Sequence, residues 1–153
     1  MNEATSYPKI LPPTALLAAV LLMVALHFLL PIAQIVPGFW RLLGILPLGF
    51  GLAISYAAEK QFLQAGTTVN PFKESSRLVK DGLYRFSRNP MYLGMALVLM
   101  GVAILFGSLT PFGVVALFVG WIHFRFICRE EEILSTQFGQ DWLEYKAGVR
   151  RWI

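Results

Sequence analysis

The run ILPPTALLAAVLLMVALHFLLPIA, residues 10–33, carries no charged side chain, and its reading decides the fold. A helix rises about 1.5 Å per residue, so about 20 apolar residues cross the roughly 30 Å hydrocarbon layer of a bilayer. Pro12 and Pro13 fit the first turn of such a helix, where proline costs little. A secretory signal peptide would show an apolar stretch of about 7–15 residues followed by a small-residue cleavage site. This run is longer and ends in Leu-Leu-Pro-Ile. The expectation is a retained spanning helix over roughly residues 13–30.

The remaining composition points the same way. Of 153 residues, 56% are hydrophobic and only 14% charged, with a mean hydropathy of +0.60. Soluble domains carry about 25% charged residues, and a chain this small has too little interior to hide so much apolar surface from water. A soluble helical bundle would also need polar faces, which these runs lack. The net charge of +4 comes from 13 basic and 9 acidic residues, too few and too segregated for a nucleic-acid surface. One cysteine, Cys128, excludes an intrachain disulfide and a multi-cysteine zinc site. The two histidines, His27 and His123, lie in different apolar runs, so no imidazole-based metal centre is expected.

Three further apolar runs follow. Residues 39–58 are broken by Arg41, placed to snorkel at one end, and by Pro47, expected to kink the helix. Gly44, Gly49 and Gly51 leave flat patches for close approach by another helix. Residues 91–106 form the third run, with Pro90 at its first turn. The fourth starts near Thr110 and Pro111, reaches about His123, and continues without a breaker into Glu130-Glu131-Glu132. With only residues 107–109 between them, the last two runs form a tight antiparallel hairpin. There is no internal repeat.

Basic residues orient the chain. Residues 59–90 carry Lys60, Lys73, Arg77, Lys80, Arg85 and Arg88; the tail carries Arg125, Arg129, Lys146, Arg150 and Arg151, and Lys9 lies near the start. Arg41 alone falls on the other side. The chain therefore reads as an all-α integral membrane protein with four transmembrane helices, a cytoplasmic loop and a C-terminal amphipathic helical segment. Both termini would be cytoplasmic, and a bacterial inner membrane is the expected location. The topology puts the two polar segments, 61–89 and 125–151, on one side.

Within the first polar segment, Pro71, Asp81-Gly82 and Asn89-Pro90 are turn signals, so it reads as ordered loop with short elements. Arg85 there suits anionic lipid phosphates as well as a ligand, and tyrosines belong at interfaces in any case. The second segment places Ile133, Leu134, Phe138, Trp142, Tyr145 and Val149 on an amphipathic helix, interrupted at Gly139, that would lie along the membrane surface. Its carboxylates at 130–132 fit ion pairing with Arg85 and Arg88, a hold on a ribose hydroxyl, or balance for a cationic ligand.

The string GLYRFSRNPMYLG, residues 82–94, followed after a helical hairpin by Glu130-Glu131, Leu134, Phe138-Gly139 and Tyr145, resembles the isoprenylcysteine carboxyl methyltransferase family. Its wider relatives are the phospholipid and phosphatidylethanolamine methyltransferases. The resemblance covers about 66–153, the motif-bearing region of a single membrane-embedded domain spanning 1–153. It implies a helical membrane enzyme that transfers a methyl group from S-adenosylmethionine to a lipophilic acceptor entering from the bilayer. Carried over by position, Tyr84, Arg88, Asn89, Pro90, Tyr92, Gly94, Glu130 and Glu131 would bind the cofactor, with Arg88 and Glu131 also assigned to catalysis. Glu132 falls outside the matching pair. Asn89 stands where the family commonly has histidine, and Trp142 where it commonly has tyrosine.

No GxGxxG follows a strand, so the cofactor would not be held as in soluble methyltransferases. Methyl transfer from a sulfonium is an in-line displacement needing alignment and exclusion of water, which a membrane-embedded pocket with a polar mouth provides. Adenine would want walls such as Tyr92 or Phe126. A carboxylate acceptor needs no base; an amine or thiol must lose a proton, and only the glutamates and tyrosines offer to take it. Phospholipid amines, thiols and isoprenylcysteine-type carboxylates all remain open as acceptors. The rival reading is a non-catalytic membrane protein that binds anionic lipid or scaffolds a partner through its basic face. It explains the charge asymmetry but not two polar clusters on one face. A channel would need a polar stripe along a spanning segment, and none is present.

Overall fold

The computed structural model describes residues 11–66 and 77–153, and these form helices joined by turns and short irregular links, with one isolated backbone bridge. Lys9 and the first residue of the run 10–33, together with residues 67–76 of the first polar segment, including Pro71 and Lys73, lie outside the described residues. Helix α1 spans Pro12–Leu29, with both prolines in its first turn. It stops where Pro31, which disfavours helical backbone in the residue before it, follows Leu30. Helix α2 spans Ile45–Gln64, α3 Pro90–Phe106, α4 Leu109–Ile122 and α5 Cys128–Gly148.

The second apolar run departs from expectation. Its opening residues, Gly38–Gly44, wind as a tight 3-10 turn, and α2 begins only at Ile45. Pro47 therefore sits in the first helical turn, where its missing N–H has no partner to lose, and no mid-helix kink is needed. Arg41 donates from Nε to the Val36 carbonyl at 2.9 Å and from Nη2 to Gln34 Oε1 at 3.0 Å, fixing the link between α1 and α2. That link is stitched to the α3–α4 turn: Ile35 N–H reaches the Gly107 carbonyl at 2.8 Å and Leu109 N–H the Ala33 carbonyl at 2.9 Å. Gly107 closes α3 in the left-handed region (φ 73°), which makes the expected tight hairpin possible.

Helices α2 and α3 pack through glycines. A Cβ added at Gly44 would lie 2.5 Å from the Gly101 carbonyl oxygen, and one at Gly101 would lie 2.6 Å from that of Gly44. The same reciprocal contact joins Gly51 and Gly94, at 2.5 and 2.6 Å. Gly44 and Gly51, like Gly94 and Gly101, are seven residues apart, about two turns, so both contacts fall on one antiparallel seam between α3 and the 3-10 turn that continues into α2. Gly44 and Gly51 are thus the flat patches expected of them; a Cβ at Gly49 meets nothing. Lipid removes most of the hydrophobic drive between spanning helices, so close backbone packing of this kind holds them together.

The core lies between α1, α3, α4 and the segment after α4, around Met23, Leu99, Ala103, Ile122 and Ile127. Most other apolar side chains of α1 and α2 point outward; Leu17, Leu21, Phe28, Phe50 and Leu52 are all exposed. Water would make that surface a liability, whereas a bilayer solvates it. Three helical stretches, Pro12–Leu29, Gly38–Gln64 and Leu109–Gly148, are long and apolar enough to cross a membrane, and Pro90–Phe106 is a shorter apolar helix of 17 residues.

Helix α4 runs into α5 through a π-helical segment, His123–Ile127. The amphipathic tail helix is interrupted at Gly139, whose φ of 49° and ψ of −118° only glycine adopts readily, as its position in the sequence anticipates.

Candidate functional site

Polar side chains converge where α3 and α5 begin. The approach to α3 starts with Gly82 in the left-handed region (φ 59°), against the Gln61 side chain of α2. Gln61 Oε1 accepts from the Leu83 N–H at 3.2 Å, and the Phe62 ring lies 5.1 Å from that of Tyr84. The short turn Gly82–Arg85 thereby buries Tyr84, whose carbonyl accepts from the Tyr145 hydroxyl at 2.7 Å. Pro90 occupies the first position of α3 as expected.

The paired glutamates have different surroundings. Glu131 is buried, with both oxygens gripped by Arg151 at 2.9 and 2.6 Å, and Arg88 Nη1 lies 3.2 Å from Oε1. The Arg88 contact is an ion pair without hydrogen-bond alignment. Glu130 accepts a 2.6 Å hydrogen bond from the Tyr92 hydroxyl and, among the described residues, forms no ion pair. Glu132 is exposed. Arg88 also stacks 5.5 Å above the Trp142 ring. Burial pulls the Arg88 guanidinium below its ordinary value, opposed by Glu131, while the bidentate bond to Glu131 pushes Arg151 up. Burial also raises Tyr84, so its hydroxyl stays a proton donor.

Three buried polar atoms here lack a hydrogen-bond partner among the described residues: the Tyr84 hydroxyl, Arg88 Nε and Arg88 Nη1, the last held only by its ion pair with Glu131. Leaving such a group unsatisfied costs about 1–3 kcal/mol, so native proteins leave few of them. All three are donors, and Glu130 retains acceptor capacity beyond its one phenol. An amphoteric ligand with a carboxylate, an ammonium and sugar hydroxyls fits that donor and acceptor set.

Of the residues expected at the site, Tyr84, Arg88, Tyr92, Glu130 and Glu131 come together, with Asn89 and Pro90 beside them. Gly94 lies on the α2 side of its helix, under Gly51 and Ser55. Phe126 is buried with its ring 6.4 Å from that of Tyr92. Arg85 is exposed. The sequence reading did not assign Arg151, His123 or Ser87 to the site, nor a contact to Tyr145. The adjacent Arg150-Arg151 was a signal, but one read only as a charge that orients the tail.

Asn89 precedes α3 yet makes no side-chain cap; its Nδ2 donates to the Arg151 carbonyl at 2.9 Å. Asn89→Leu and Asn89→Ser should therefore behave alike, each losing about 1 kcal/mol of stability, because serine does not span that distance. Thermal unfolding in detergent checks this; full rescue by serine would mean that a cap is the residue's main role.

A polytopic helical membrane protein with a buried cluster of polar side chains where α3 and α5 begin is the class this fold defines. The family profile described as phospholipid methyltransferase matches residues 39–141. The chain belongs to that family. It is 28% identical over 107 residues to Protein-S-isoprenylcysteine O-methyltransferase of Schizosaccharomyces pombe, covering 67% of this chain and 45% of that protein. It is 35% identical over 63 residues, 41% of this chain, to the full length of an uncharacterized protein of Haemophilus influenzae. The chain thus matches less than half the length of the yeast relative. No solved structure matches. The family match reaches back over α2, which the motif resemblance did not, and stops before Tyr145 and Arg151.

Proposed function

We propose that this chain is an S-adenosylmethionine-dependent methyltransferase whose acceptor is lipophilic and arrives from the membrane. The observation that carries the reading is the meeting of two distant segments, 84–92 and 130–131, around buried donors without partners. Tyr84 and Arg88 would hold the carboxylate end of the cofactor, and Glu130 its ribose hydroxyls or ammonium. Asn89, Pro90 and Tyr92 would form walls, and Gly94 would set the α2–α3 distance behind them. When bound, the cofactor supplies an electrophilic methyl group on a sulfonium. Glu131, held by two guanidiniums, fixes Arg88 in place. Glu130 is the residue here able to take the proton that an amine or thiol acceptor must lose. A carboxylate acceptor would make no such demand.

This reading takes α3 as a fourth span, at about 26 Å slightly short of the hydrocarbon layer, with both termini and the site on the cytoplasmic side. In a Cys128→Ser background, a cysteine replacing exposed Glu132 should react with an impermeant reagent only after cells are opened; labelling of intact cells would reverse the orientation. Activity is tested with methyl-labelled S-adenosylmethionine and fractionated membrane lipids and prenylated thiols. Label should enter one lipophilic fraction. Cofactor binding with no label in any fraction would refute a lipophilic acceptor, and the anionic-lipid scaffold reading gains if the folded protein binds anionic vesicles but no cofactor.

A further inference from the structure

The residues after α5 turn back onto the site. Val149 is extended (φ −128°, ψ 131°), and the strand of chain that follows lies beside residues 87–89. The Arg150 carbonyl accepts from the Arg88 N–H at 3.0 Å, and the Arg151 carbonyl accepts from Asn89 Nδ2 at 2.9 Å and Ser87 Oγ at 3.5 Å. The Arg151 side chain reaches the opposite wall, where it grips both Glu131 oxygens. Its Nη1 lies 3.2 Å from His123 Nε2. One residue thus ties together the approach to α3, the start of α5 and the π-helical segment. Such π segments recur at functional sites.

We propose that Arg151 is a positioning residue that holds Glu131 and residues 87–89 in one frame, and that its grip requires an uncharged His123. The inference rests on the function proposed above. A guanidinium has only donors, so His123 Nε2 must accept, leaving the ring proton on Nδ1. Protonation converts Nε2 to a donor and sets a second cation against Arg151. The charged and titratable groups around that contact are Arg151 itself, Glu131 on its far side and Arg88 beyond. Cys128 opens α5 nearby, and Glu130, next to Glu131, carries the Tyr92 hydroxyl of α3 on its carboxylate. Acid conditions should therefore loosen the frame, because Glu131 cannot offset a contact that the geometry no longer allows.

The test uses the full chain in detergent at about pH 7.5 and about pH 5.5, a range that spans imidazole protonation. Calorimetry reads S-adenosylmethionine affinity, and hydrogen exchange on the ligand-free protein reads protection of the Arg88 amide. Wild type should lose about tenfold in affinity at the lower pH, the size of one charge-assisted hydrogen bond, together with amide protection. His123→Gln, a neutral acceptor at both values, should keep amide protection and lose clearly less affinity than wild type. Arg151→Ala should be weak at both, and Arg151→Lys intermediate, because an ammonium cannot grip two oxygens as a guanidinium does. Wild-type binding by Arg151→Ala, or an undiminished pH effect in His123→Gln, overturns the inference. Should Arg151→Ala fail to fold, the His123→Gln comparison decides alone. If no variant binds cofactor but wild-type amide protection still falls with pH and His123→Gln abolishes that fall, the frame stands and the cofactor reading fails.

Discussion

Glu131→Ala is expected to lower stability by about 3–5 kcal/mol and to weaken S-adenosylmethionine binding by about 1.5–3 kcal/mol. The Glu131 and Arg88 side chains are only 9% and 8% exposed, so removing the carboxylate strands a buried guanidinium. It also frees Arg151, which then holds neither the start of α5 nor the approach to α3. Glu131→Gln keeps one acceptor oxygen and should lose less. Exposed Glu132 has neither partner, and Glu132→Ala should stay within about 0.5 kcal/mol of wild type. Thermal unfolding in detergent and calorimetric titration read the two effects separately. Equal, large losses for alanine at 130, 131 and 132 would mean a general acidic patch in place of individual roles.

Gly101→Ala and Gly94→Ala are expected to destabilise the protein by about 1–3 kcal/mol each, the usual range for overpacking. At Gly101 the new methyl meets the Gly44 carbonyl and the Leu48 backbone at 2.6 Å, and at Gly94 it meets the Gly51 carbonyl at 2.6 Å. These are backbone atoms, so the methyl cannot be accommodated by a side-chain rotation and α2 must move away from α3. Gly113→Ala, inside α4 where a Cβ meets nothing, is the matched control and should cost nothing or stabilise by about 0.5–1 kcal/mol. Gly94 and Gly101 should lose similar stability. A loss of cofactor affinity at Gly94 with unchanged thermal stability would instead make it a direct ligand contact.

Much of this fold is legible in hydropathy and punctuation. Helix α1 falls within a residue of its expected bounds because prolines frame it, and Gly107 and Gly139 mark the hairpin and the break in α5. Pro47 was misleading because apolar character alone does not show where a 3-10 turn gives way to α-helix. At the site, opposite charges pointed to carboxylates 130–132 meeting Arg85 and Arg88, of which Arg85 is exposed; the resemblance singled out Arg88 and Glu131, and the Tyr92–Glu130 pair lay within the same motifs. Arg151 was not legible: Gly148 marks the end of α5 and Arg150-Arg151 mark charge, but neither shows that the chain folds back onto residues 87–89. The roles of Tyr92 and Gly94 were separable in principle. Two residues apart on a helix means about 200° of rotation, so a face turned toward Glu130 at Tyr92 turns Gly94 toward α2.

The central claim is that the polar cluster at the start of α3 and α5 is an S-adenosylmethionine site. It is tested most directly by calorimetric titration of S-adenosylmethionine into the detergent-solubilised full chain, with folding verified by circular dichroism on the same sample. Saturable one-to-one binding with a Kd of about micromolar order is expected, weakened in Arg88→Ala and Glu131→Ala. Folded protein that takes up no ligand at about millimolar concentration, or binding unchanged in both variants, would contradict it.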